Sequence, residues 1–402
     1  MCQQVSGNMK NTYTRYPAAY GDTDRGNAME LYIHIPFCIR KCGYCDFLSF
    51  PCQGGEKKAY LQALHKEILC CHKDGGSTPV TSVFFGGGTP SLLSGEELTG
   101  ILSSLRQQFV FAKDAEITME ANPGTLNKEN LRLYRAAGVN RLSIGCQSVH
   151  DTELKMLGRI HTFAQFTESF ALAREAGFSN INVDLMSAIP GQELASWRDC
   201  LETVTALSPE HISAYSLIIE EGTPFFEMQD TLMLPDEDTE REMYALTREF
   251  LAKKGYIQYE ISNYALPGRE CRHNIGYWDQ TPYLGLGLGA SSYKEGVRWK
   301  NTSDMKSYLS QADTGQLVRV DEERLSVDEQ MEEFMFLGLR MNRGVSISLF
   351  QERFGMDMMA VYQTPIEHFV REKLLTICQN RVCLTEKGMD LADMVMAEFM
   401  LS

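Results

Sequence analysis

The sequence predicts an α/β fold: a partial (β/α)6 TIM-like barrel followed by a C-terminal, mostly helical, winged-helix-like domain. Three observations predict it. Six short β-rich runs alternate with longer amphipathic runs, which implies parallel βαβ units. Ala137-Gly138 and Ala176-Gly177 stand where helices must stop before the next strand. Glycines and polar residues gather just behind the β-rich runs, where a barrel builds its site.

In chain order, residues 1–28 are polar without helical or strand periodicity, so a disordered tail is expected. Met29 directly precedes the first strand and stands as a candidate biological start. Strands are expected at Leu31–Ile35, Thr81–Phe85, Glu116–Glu120, Arg141–Gly145, Ile181–Leu185 and His211–Leu217. Helices are expected between them at Lys57–His72, Gly95–Phe109, Lys128–Ala137, Phe163–Ala176 and Ala195–Ala206. Residues 29–235 form the barrel in this reading. Residues 236–325 form an extension, with one charged helix (Asp236–Lys254) and then aromatic and glycine-rich loops. Residues 326–402 form the last unit: a helix at Val327–Leu339, a short one at Ser348–Phe354, another helical stretch, a hairpin at Thr376–Thr385 and a final helix.

Composition excludes several functions. The 402 residues are 44% hydrophobic and 23% charged, ordinary for a globular protein. The net charge is −15, which argues against a nucleic-acid partner and against polybasic membrane anchoring. It also favours a structural cap over a DNA-binding role for the C-terminal unit. No apolar run reaches the length of a membrane-spanning helix, and no signal-peptide pattern opens the chain. A cytoplasmic protein is expected, with no stable membrane insertion. Of twelve cysteines, three crowd into residues 38–45. Disulfide frameworks belong mainly to small secreted chains, so the cluster points to metal or redox chemistry in a reducing compartment.

The chemistry-bearing motifs follow the strands. Cys38-x3-Cys42-x2-Cys45 comes directly after the first strand, with Pro36 ending it. Three close thiolates can hold three irons of a [4Fe–4S] cubane and leave the fourth open. A zinc knot or buried structural cysteines are the competing readings; structural zinc takes four protein ligands, and Cys52 is irregularly placed. Phe85-Gly86-Gly87-Gly88-Thr89-Pro90 closes the second strand, with glycines where a backbone can approach a ligand. Taken singly, the motif is also an ordinary tight turn. Glu120, Gln147, Arg159 and Asp184 lie at or near later strand ends, and each alone is an ordinary satisfied polar group.

C-x3-C-x2-C after the first strand of an α/β barrel resembles the radical S-adenosylmethionine superfamily. Within it, Tyr32-Ile-His34-Ile-Pro36-Phe37-Cys38 resembles the oxygen-independent coproporphyrinogen III oxidase group, which includes haem chaperones. The resemblance runs from about Leu31 to the C-terminus. It implies a cluster on Cys38, Cys42 and Cys45 whose open iron binds the amino and carboxylate groups of S-adenosylmethionine. It implies contacts to that cofactor from Tyr32, Tyr44, Gly87, Gly88, Thr89, Glu120, Gln147, Arg159 and Asp184, and more distantly from Tyr215-Ser216-Leu217.

Two positions depart from the group. Ala188 stands where a glycine is common, two residues before Pro190. Phe47 stands where the oxidases have a fourth cysteine, which resembles the chaperone branch. His273-Asn274-x-x-Tyr277-Trp278 resembles that branch too, and implies His273, with Cys271 a weaker candidate, as a haem contact. The bare residues read equally as a packed loop with a satisfied histidine. Tyr283–Ser291, with its repeated glycines, lacks the dinucleotide spacing and reads as a loop near the cofactor. The function expected is a haem chaperone that carries haem as cargo to haem-accepting proteins and takes electrons from a donor. The alternative is radical decarboxylation of coproporphyrinogen III. No catalytic residue is singled out.

Overall fold

The computed structural model describes residues 28–51, 55–71, 78–314 and 319–401. The expected tail therefore lies outside the described residues, except Ala28. Six parallel strands form the centre: β1 (Met29–Ile35), β2 (Val80–Gly87), β3 (Phe111–Ala121), β4 (Arg141–Gln147), β5 (Ile181–Ser187) and β6 (His211–Ser216). Helices α1 (Glu56–Cys70), α2 (Gly95–Gln108), α3 (Lys128–Ala137), α4 (Asp151–Met156), α5 (Phe163–Glu175) and α6 (Leu194–Ala206) connect them. The expected elements match within a few residues.

Local chemistry explains the helix ends. Ser94 and Glu97 form a capping box at the start of α2, and Thr162 with Gln165 does the same for α5. Gly138 ends α3 in the left-handed region, φ 110°, where a side chain is disfavoured. The strands' outer faces and the helices' inner faces share one core, including Ile33, Val83, Ile117, Leu142, Val183 and Trp197. Trp197 is fully buried and donates its indole N–H to Thr247 Oγ1 at 2.8 Å.

The extension is more ordered than the sequence suggests. After α7 (Glu237–Lys253) come β7 (Ile257–Glu260), β8 (Asn263–Ala265), α8 (Arg272–Trp278), β9 (Tyr283–Leu286), β10 (Ser291–Lys294), β11 (Val297–Asn301) and β12 (Arg319–Arg324). These complete one open sheet in the order β12-β11-β10-β9-β1-β2-β3-β4-β5-β6-β8-β7. Tyr283–Leu286 is thus a strand pairing parallel with β1, not a loop at the cofactor. Glu67 of α1 fixes this edge: its buried carboxylate accepts from Gly287 N at 2.9 Å, Asn301 Nδ2 at 2.7 Å and Tyr308 Oη at 2.5 Å.

The last unit contains α9 (Val327–Leu339), β13 (Val345–Ser346), α10 (Ile347–Phe354), α11 (Met358–Arg371), β14 (Leu375–Cys378), β15 (Arg381–Leu384) and α12 (Ala392–Ala397). The three strands pair in the order β13-β15-β14, giving the helix-and-hairpin arrangement expected. Its own core includes Met335, Phe350, Tyr362, Val382 and Phe399. Asn342 ties it to β7, donating from N to Tyr259 O at 3.0 Å and from Nδ2 to Gln258 O at 2.6 Å. Among the described residues no helix is long and apolar enough to cross a membrane.

Candidate functional site

Above the C-terminal ends of β1–β6 lies a cavity of about 470 Å³. Cys38, Cys42 and Cys45 all line it. Their loop is fixed at Gly43, whose N–H donates to Leu157 O at 3.1 Å and whose carbonyl accepts from Phe225 N at 3.0 Å. Cys38 Sγ contacts Thr89 Oγ1 at 3.3 Å, and Arg159 Nη1 donates to Cys42 Sγ at 3.8 Å. Burial pushes the Cys45 thiol up to about 11, and the nearby Cys42 and Cys38 sulfurs push the same way. Cys45 is thus held as the neutral thiol until a cation arrives. Among the described residues no three His, Cys, Asp or Glu side chains converge on a single metal ion. Three thiols spread around one cavity suit a cubane, in which each takes a different iron.

The glycine motif docks against this loop by backbone. Gly88 N donates to Ile35 O at 2.8 Å and Thr89 N to Phe37 O at 2.7 Å. A Cβ on Gly88 would stand 2.7 Å from Phe37 O, so only glycine allows the approach. Gly87, at φ 108°, leaves room for the His34 ring, which a Cβ would strike, and donates its N–H to Glu120 Oε2 at 3.2 Å.

Of the remaining expected residues, Tyr44, Glu120, Gln147, Arg159 and Asp184 line the same cavity. Burial raises the Glu120 carboxyl to about 8, with the Asp184 charge adding to it. Asp184 accepts from Asn182 Nδ2 at 2.6 Å and Ser143 Oγ at 3.2 Å. Arg159 donates from Nη2 to Asn122 Oδ1 at 2.6 Å and Gly145 O at 2.9 Å, and hydrogen-bonds Tyr44. Gln147 is the strained member. A bulge shifts the β4–β5 register between Gly145 and Gln147, and Gln147 has φ 68°. Its Oε1 is buried with no partner. An orphaned acceptor on a strained residue beside an open cavity fits a site that awaits a donor. Tyr32 is not a lining residue: its ring stacks with Phe84 and its hydroxyl lies 3.0 Å from His34 Nδ1; burial and then the Glu120 charge hold it well above the usual phenol range.

Several lining residues escaped the sequence reading. Arg141 is 2% exposed at the cavity floor, with Ser143, Asn182, Ser213 and Asn274. Arg141, Ser143, Asn182 and Ser213 face inward through the alternation of their strands, which becomes visible only once the strand order is known, and Asn274 comes from α8.

His273 does not reach the cavity. It is 1% exposed; its Nδ1 lies 2.7 Å from Ser82 Oγ, its Nε2 lies 3.0 Å from Tyr277 Oη, and its ring stacks on Phe84. Burial pushes it down to about 3, so it is neutral with both nitrogens engaged. Cys271 is equally enclosed, with Sγ 3.5 Å from Glu116 Oε1. Glu116 also accepts from Arg272 N and His273 N. Helix α8 therefore packs its first turn onto an inward carboxylate of β3. As the structure stands, the packed-histidine reading describes His273 and Cys271, and neither presents a free ligand atom.

Ala188 also gains meaning. It has φ 57°, the left-handed conformation that glycine adopts without strain.

An open parallel barrel with three thiols and a glycine turn above one cavity defines a radical S-adenosylmethionine protein. The Radical SAM superfamily model matches residues 32–204, and the HemN C-terminal domain model matches residues 325–391. Over 372 residues the chain is 39% identical to the heme chaperone HemW of Lactococcus lactis subsp. lactis, covering 92% of this chain and 97% of that protein. It is 38% identical to the heme chaperone HemW of Bacillus subtilis, covering 92% and 98%. The structure also resembles the coproporphyrinogen III oxidase HemN of Escherichia coli, described as a radical SAM enzyme. That likeness has a TM-score of 0.81 at 25% identity and covers 93% of this chain and 90% of that one. The chain belongs to the HemW family. Its superfamily implies a [4Fe–4S] cluster and S-adenosylmethionine.

Proposed function

We propose that this protein is a haem chaperone: it binds haem, holds a [4Fe–4S] cluster on Cys38, Cys42 and Cys45, and hands haem to haem-accepting proteins. When bound, the cluster and S-adenosylmethionine supply one-electron chemistry, for which an electron donor is needed. The chain's residues do the positioning. The Gly87–Thr89 backbone lies against the thiol loop, Glu120 would accept a hydrogen bond from the methionine amino group, and Arg159 is anchored to Asn122 beside Cys42. Gln147 offers its unpaired acceptor, Asp184 is held by Asn182 and Ser143, and Tyr44 packs beside Arg159. His273 is a positioning residue in this reading: through Ser82 and Tyr277 it holds α8, and with it Trp278.

The observation that carries the proposal is Phe47. It occupies the position of the oxidases' fourth cysteine, lines the cavity and is 60% exposed. A thiol there would be a further ligand or reactant, and an exposed phenyl ring is neither. The likeness to HemN keeps the oxidase as the second reading.

The test is one preparation assayed twice. After anaerobic reconstitution of the cluster, haem binding is followed by absorbance, and coproporphyrinogen III turnover is measured with a reductant present. Stable haem binding without turnover is expected. Robust turnover without haem binding overturns the proposal in favour of the oxidase.

A further inference from the structure

A second cavity, of about 550 Å³, lies on the other side of α8, between the sheet extension and the C-terminal unit. It shares no lining residue with the cofactor cavity, and its size is within the range of about 300–1,000 Å³ usual for ligand sites. Trp278, Tyr293 and Phe334 supply aromatic walls. Its polar lining is incomplete. Thr281, 2% exposed, and Gln280, 7% exposed, each carry a buried oxygen without a hydrogen-bond partner, and so does the buried Trp278 Nε1. Three unsatisfied buried polar atoms around one hollow are costly unless something occupies it.

Tyr293 gives the hollow its chemistry. The residue is 5% exposed, yet its hydroxyl meets a guanidinium: Arg353 Nη2 donates to Tyr293 Oη at 3.2 Å. Tyrosine is an established axial ligand for haem iron. Guanidinium has donors and no acceptor, so its hydrogen bond to oxygen persists when the phenol becomes a phenolate. Aromatic walls suit a flat macrocycle.

We propose that this cavity between the sheet extension and the C-terminal unit is the haem site, and that Tyr293 ligates ferric haem iron as a phenolate supported by Arg353. On binding, one Fe–O bond forms, the phenol proton leaves to solvent and the iron stays ferric. The inference rests on the haem-binding reading above.

The test adds ferric haem to the cluster-reconstituted protein and follows absorbance and electron paramagnetic resonance. The oxidised cluster is diamagnetic and leaves the ferric haem signal readable. Wild type should show a high-spin ferric signal with a phenolate-to-iron charge-transfer band. Tyr293→Phe should lose the band and bind haem at least about tenfold more weakly, with cluster absorbance and S-adenosylmethionine binding unchanged. Tyr293→His should restore tight binding with an altered spin signature. Arg353→Gln should weaken the band while leaving the fold intact. If wild type binds haem and Tyr293→Phe keeps the same spectrum and affinity, the cavity assignment is overturned while haem binding stands. If wild type binds no haem, both fall together.

Discussion

Replacing Glu120 with glutamine should flatten the pH dependence of S-adenosylmethionine binding. The wild-type carboxyl sits at about 8 because burial and then Asp184 disfavour its charge. The carboxylate is the stronger acceptor for the methionine amino N–H, so affinity should rise as pH climbs toward and past 8. With a single group at that value, the ionised fraction falls about fivefold from pH 8 to 7 and about tenfold from 7 to 6. The ligand's own amino group titrates in the same range, but it does so equally for both proteins. The ratio of wild-type to Glu120→Gln affinity therefore isolates Glu120, and should fall by those factors. Calorimetric titration of the reconstituted proteins between pH 6 and 9 measures it. The stability sign runs the other way. A carboxyl raised by burial favours folding below its ordinary value, and that contribution is lost as pH rises toward 8. An affinity ratio constant across the range refutes the assignment of Glu120 to the ligand's amino group.

Three further outcomes are expected. Cys42→Ser should abolish the cluster absorbance and leave haem binding intact, whereas His273→Ala should weaken haem binding by loosening α8 and leave the cluster intact; both are read by absorbance. Ala188→Gly should stabilise the fold by about 0.5–1 kcal/mol in urea unfolding, because it relieves a left-handed alanine and gives back part of that in chain entropy. Burial raises the Glu67 carboxyl to about 7, against the pull of its bonds to Tyr308, Gly287 and Asn301. Wild type should therefore lose stability relative to Glu67→Gln as pH rises from 5 to 8, and unfolding curves at the two pH values would show it.

The same residues show where sequence reading succeeds and where it stops. The barrel strands and the thiol loop were legible because their signals are local: a β-rich run, a proline stop, three cysteines within eight positions. The edge strands are not, because repeated glycines at Tyr283–Ser291 read as a loop. Gly285 instead lets β9 pass close to Ser291, where a Cβ would strike the Ser291 carbonyl. The glycine records a close approach between strands rather than a loop. His273 failed for a related reason. Its motif is local, but the serine that engages its Nδ1 is 191 residues away. Arg141 reads as an ordinary strand-opening residue until β3 and β5 are placed on either side of it. Gln147 and Ala188 carry a backbone conformation that residue identity does not announce. Ala188 departs from the glycine common at its position, and the φ of 57° makes that departure a strain with a predicted sign. The second cavity extends the same logic. Trp278 belongs to a motif visible in the sequence, but the hollow it lines is closed by Phe334 and Arg353 from the C-terminal unit. A ligand site built between two units has no single stretch of sequence to announce it, and its unsatisfied atoms emerge only when the units meet.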